Sequence, residues 1–70
     1  MDNDLYIAMR EGRVPLRVDV EQEGNEWVAT YDQFGIQVEV RDESQTFAHS
    51  QAIEQIFQKA RDGEFEVRVA

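Results

Sequence analysis

Side chains able to do covalent or acid–base chemistry are scarce in this 70-residue chain. It has one histidine, His49, no cysteine, and no lysine before Lys59. No Ser or Asp stands at a recognisable motif spacing from His49, and there is no glycine-rich phosphate loop. His49 precedes Ile53 by four residues, so it flanks an apolar helix face near the helix start. That position suits a boundary or cap-region histidine. The acid pairs Asp2/Asp4 and Asp42/Glu43 lack the spaced oxygen ligands and the glycine of a Ca²⁺ loop. They read as solvated turn acids. The expectation is a non-enzymatic protein with no catalytic residue, metal or cofactor.

Carboxylates are what the chain has in excess. Fifteen Asp plus Glu against seven Lys plus Arg set a formal net charge of -8. Phosphates and anionic lipid surfaces attract basic faces, so direct nucleic-acid or membrane binding is disfavoured. A basic protein partner, or simple solubility, is favoured. No apolar run approaches the roughly 20 residues of a membrane span. No basic segment followed by an apolar one marks a secretory signal. Together with the missing cysteines, these features fit a cytoplasmic protein. The 41% hydrophobic content is that of a folding chain, and its length allows one domain over 1–70.

The elements that position the acids follow from the apolar pattern. Asp4–Glu11 leans toward a short helix: Leu5, Ala8 and Met9 have helical spacing, and Gly12 follows. The competing strand would place Leu5, Ile7 and Met9 on one face. From Val14 to Gln22 apolar residues alternate with charges, which predicts a strand. Gly24-Asn25 reads as a two-residue turn into a second strand, Glu26–Tyr31. Asp32–Gly35 reads as a four-residue loop into a third, Gly35–Arg41. The stretch from about Thr46 or Ser50 to Arg61 has the period of an amphipathic helix, with Ile53, Ile56, Phe57 and Ala60 on its apolar face. Thr46 and Ser50 are candidate N-caps, and Gly63 suits the position after the helix end. Glu64–Val69 alternates again as a last strand. The fold class expected is α+β: an antiparallel three-stranded meander plus a C-terminal strand, with one helix packed on one face.

Register then sorts the side chains. The first turn pairs Val20 with Ala29 and Val18 with Tyr31. The second pairs Tyr31 with Ile36, Ala29 with Val38 and Trp27 with Val40. Apolar residues meet apolar residues in both hairpins, as a one-residue slip would not allow. Trp27 falls on the core face. Phe34, Val28 and Phe47 find no firm place in the core. The opposite face carries Asp19, Glu21, Glu26, Asp32, Glu39, Glu64 and Glu66, with Arg17, Arg41 and Arg68. Arg17 is expected opposite Asp32, and Arg41 opposite Glu26. Acids two apart on a strand lie about 6.6 Å apart, from about 3.3 Å per residue. That spacing is comparable to successive phosphates on a nucleic-acid strand. A wet sheet face needs polar residues in any case, and acids also discourage edge pairing.

Two resemblances add to this. Glu26–Gly35 (EWVATYDQFG) resembles the strand-and-turn stretch of HicB-type antitoxins, which run β-β-β-α-β and neutralise a small basic ribonuclease. The likeness covers about ten residues. HicB-like chains reach their helix soon after that glycine, whereas here a full strand and Asp42–Gln45 intervene. Their common C-terminal DNA-binding segment has no counterpart. In size, acidity and lack of catalytic inventory the chain resembles small phage-encoded inhibitors, the anti-CRISPR and nucleic-acid-mimic class; no motif carries that likeness. The expected function is an inhibitor that binds a basic nucleic-acid-handling protein through the acidic face. A CRISPR effector, a restriction factor or a toxin nuclease would be such a partner, met in the host cytoplasm if the chain is phage-encoded. The alternatives are a HicB-like antitoxin, or a structural module, for example a homodimer, whose acids only solubilise.

Overall fold

The computed structural model of the chain describes residues 4–64. Its elements are α1 (Asp4–Arg10), β1 (Asp19–Glu23), β2 (Glu26–Gln33), β3 (Ile36–Asp42) and α2 (Gln45–Arg61). The architecture is α+β. Three antiparallel strands in the order β1-β2-β3 form the sheet. Helix α2 packs on β2 and β3, and α1 packs on α2. The strand expected at Glu64–Val69 falls, apart from Glu64, outside the described residues.

Both helices end in the same way, on a left-handed glycine. Gly12 and Gly63 each have φ 77. After α1, the Gly12 N–H donates to Met9 O at 3.2 Å and the Arg13 N–H to Ala8 O at 2.9 Å. After α2, the Gly63 N–H donates to Ala60 O at 3.1 Å and the Glu64 N–H to Lys59 O at 2.8 Å. Each pair of bonds is a Schellman closure, satisfying carbonyls that the helix leaves open. The start of α2 lies earlier than the spacing suggested. Ser44, not Thr46 or Ser50, is the N-cap, accepting from the Phe47 N–H at 3.2 Å. The Asp42 carboxylate in turn accepts from the Ser44 N–H at 2.7 Å. Such a cap contributes about 1 kcal/mol.

The first hairpin has the expected register: Glu23 opposes Glu26, Gln22 opposes Trp27, and Val20 opposes Ala29. Gly24, at φ 62, takes the positive angle that the first turn position needs. The strand itself is shorter than the alternation predicts and begins at Asp19, not Val14. Val14, Leu16 and Val18 still pack partly buried against the core, but they do so without ladder pairing. Pro15, with no N–H, cannot donate to a ladder there.

The second hairpin departs from expectation by two residues. Its loop is Phe34-Gly35 alone, so Tyr31 opposes Val38, Ala29 opposes Val40, and Trp27 opposes Asp42. Both loop residues have positive φ, 56 for Phe34 and 74 for Gly35. A tight type I′ turn demands that of both positions. A left-handed Phe costs about 1–2 kcal/mol, which its packing against the core helps to offset. A shift of two leaves every side chain on its expected face.

The core lies between sheet and helices. Ala29, Tyr31, Ile36 and Val38 supply the sheet side, Leu5 and Met9 the α1 side. From α2 come Ala48, Ala52, Ile56 and Ala60, each 0% exposed. Their spacing of four draws one stripe along the helix. Three of the four are alanines, so the α2 backbone can sit close to the sheet. Ile53 and Phe57 flank that stripe, and Phe57 meets Tyr6 of α1 edge-on at 6.3 Å.

Tyr31 is buried on the sheet's inner face, 3% exposed. Its hydroxyl donates a long bond, 3.5 Å, to Gln33 Oε1. Burial pushes its phenol pKa above the usual 10.0. The folded state therefore holds this proton more tightly than the unfolded one. The resulting stability is fully present below pH 10 and is lost as pH rises beyond it. Urea denaturation above pH 10 should show wild type weakening with rising pH more than Tyr31→Phe does. Equal losses in both proteins would rule out Tyr31 as the source.

Candidate functional site

The outer face of the sheet gathers six of the thirteen described acids. Alternation along the strands puts Asp19, Glu21 and Glu23 of β1 there, Glu26 and Asp32 of β2, and Glu39 of β3. All six are exposed. The strand backbone sets the face of each, so the array follows from the two registers. Rows run across the sheet: Asp19, Thr30 and Glu39 form one, and Glu21, Val28 and Arg41 the next.

Five of the expected residues, Asp19, Glu21, Glu26, Asp32 and Glu39, thus share this face. Glu64 does not. It follows the C-cap of α2, its backbone bonded to Lys59, and stands outside the sheet. Glu66 lies outside the described residues. Glu23 was missed because it reads as part of the turn. The two-residue loop leaves it paired with Glu26, so it keeps the parity of Glu21.

Among the described residues Arg41 is the one cation within the strands of this face. It is not opposite Glu26 as expected; the two-residue shift sets it opposite Val28. Its Nε donates to Glu39 Oε2 at 3.1 Å, and its Nη1 lies 3.6 Å from Glu23 Oε1. Glu23 belongs to β1, so the Arg41 side chain reaches across β2. Val28, its ladder partner on β2, is only 5% exposed although it faces away from the helices. The aliphatic stem of an arginine covers apolar surface well. The Glu39 hydrogen bond, then the charges of Glu23, Glu39 and more weakly Glu26, hold the guanidinium pKa above its ordinary value. Arg17 precedes β1, so it has no ladder partner. It lines a shallow depression with Asp19, Thr30 and Asp32, but among the described residues no ion pair joins it to Asp32.

Six carboxylates set against Arg41, with Arg17 at the margin, leave the face strongly negative. Among the described residues no three His, Asp or Glu side chains converge as a metal site would need. His49 is exposed in the first turns of α2, beside Val20, Gln45, Thr46 and Ser50. Trp27 lies on the inner face, partly buried against the core. Phe47 is 51% exposed. No helix of the described residues is long and apolar enough to cross a membrane. No protein-family model, curated protein or solved structure matches the chain.

Proposed function

We propose that the protein is a non-enzymatic inhibitor that occupies the nucleic-acid groove of a basic protein with its acidic sheet face. The observation that carries this reading is the density of charge on one face: six exposed carboxylates on one side of three strands, two residues apart along β1. A groove lined by Lys and Arg attracts any surface of matching negative potential. Acids held by a sheet need little reordering on contact, which keeps the entropic cost of binding low. A CRISPR effector, a restriction factor or a toxin nuclease has a groove of this chemistry. The encounter takes place in the cytoplasm where such proteins act.

Asp19→Lys with Glu21→Lys tests the reading without touching β3. Capture of nucleic-acid-binding proteins from host lysate at low salt should weaken more than about tenfold in this variant. Added salt or excess oligonucleotide should release what wild type holds. Equal capture by both proteins, unaffected by salt, would remove the acidic face from the contact.

A further inference from the structure

We propose that two copies of the chain join edge to edge through β3, making one continuous six-stranded sheet. In the tight second hairpin, Gln33 and Ile36 flank a two-residue loop and form a hydrogen-bonded pair. Ile36, Val38 and Val40 therefore spend their backbone groups on β2. The N–H and C=O groups of Gln37, Glu39 and Arg41 point out of the sheet. The Lys59 ammonium confirms the direction, donating to Gln37 O at 3.0 Å. It covers the beginning of the edge. Among the described residues nothing bonds the outward backbone groups of Glu39 and Arg41, and β3 is the last strand on its side.

Charge selects both the partner and the register. A two-fold axis at Val40 sets Glu39 of each copy opposite Arg41 of the other, two reciprocal opposite-charge pairs. An axis at Glu39 would set two glutamates face to face. Pairing about Val40 extends from Val38 to Asp42 and leaves Gln37, with its lysine cover, at the margin. In the single chain Arg41 folds back to Glu39 and Glu23; the second copy adds another carboxylate within its reach.

The flank of α2 above this edge fits the same arrangement. His49 and Ser50 border Val20 of β1, and Ile53 and Phe57 face α1 with Tyr6 and Arg10. The remaining flank, on the β3 side, carries Gln51 and Gln55 ahead of Lys59, with the exposed Phe47 at its outer border. Lys59 stands level with Gln37. At about 3.3 Å per strand residue and 1.5 Å per helix residue, Val40 is level with Ala52. The axis therefore runs the two α2 helices antiparallel, side by side. The exposed Phe47 of each then comes near Gln55 of the other.

Sedimentation of wild type should show a dimer at micromolar concentration. Glu39→Arg alone and Arg41→Glu alone should each weaken it more than tenfold, because like charges then oppose. An equal mixture of the two variants should restore a dimer containing one of each. Val40→Cys, in a chain without cysteine, should form an interchain disulfide, since residues paired on the axis have Cα atoms about 4.5 Å apart. A wild-type monomer at every concentration overturns the proposal and leaves the edge to another strand, the expected Glu64–Val69 included. A wild-type dimer that both variants retain, or that their mixture fails to restore, places the contact elsewhere and overturns it equally.

Discussion

Ile56→Ala should destabilise the fold by about 2–5 kcal/mol. Ile56 is 0% exposed and is the one large side chain in the α2 stripe. Its neighbours in that stripe are alanines, which have no length with which to fill the void. A domain of this length has on the order of 4–10 kcal/mol in all. The change therefore removes a large share of it, and the melting temperature should fall by roughly 10–30 °C. Urea denaturation should show the midpoint dropping with the slope unchanged, as for a loss confined to the native state. A midpoint within error of wild type would mean that Ile56 is not the keystone of the helix–sheet contact.

Ala52→Leu should fail for the opposite reason. Ala52 is also 0% exposed, but here closeness, not bulk, is what the position supplies. Three added carbons have to be housed between α2 and the sheet, at about 1–3 kcal/mol. Only an outward move of α2 relieves them, and that move strips cover from Ile36 and Val38. Phe47→Ala, on the exposed side of the same helix, is the control and should leave monomer stability within about 0.5 kcal/mol. If Ala52→Leu proves as mild as that control, the helix is not seated closely. Calorimetry of the three proteins under one set of conditions decides it.

Much of this architecture was legible because sheet parity is robust. Gly24-Asn25 identifies a two-residue turn, and from it the β1–β2 pairing follows residue by residue. The β2–β3 loop was harder. Phe34 is a poor left-handed residue, so nothing in its type announces a tight turn, and Asp32-Gln33-Phe34-Gly35 reads naturally as four loop residues. The error was an even number, so the acids kept their face while their opposite numbers changed. Arg41 illustrates the consequence: its face was right and its partner wrong. Ser44 was overlooked because two later hydroxyl residues, Thr46 and Ser50, stand closer to the apolar period. Asp42 beside it was the available signal, since a carboxylate two residues ahead can hold the cap residue's own N–H. The burial of Val28 had no signal in alternation at all. Val28 pairs with Arg41, whose guanidinium reaches Glu23 beyond β2, a neighbourhood that only three dimensions reveal.

Four of the six described basic side chains, Arg10, Arg13, Lys59 and Arg61, sit on or just after the helices. The sheet's outer surface carries six carboxylates against Arg41. The centre of negative charge is therefore displaced from the centre of mass. Such a body feels a torque in any external field and turns before it touches. Near a cation-rich surface it would arrive sheet first, with its helices trailing, so fewer collisions would be wasted on the wrong orientation.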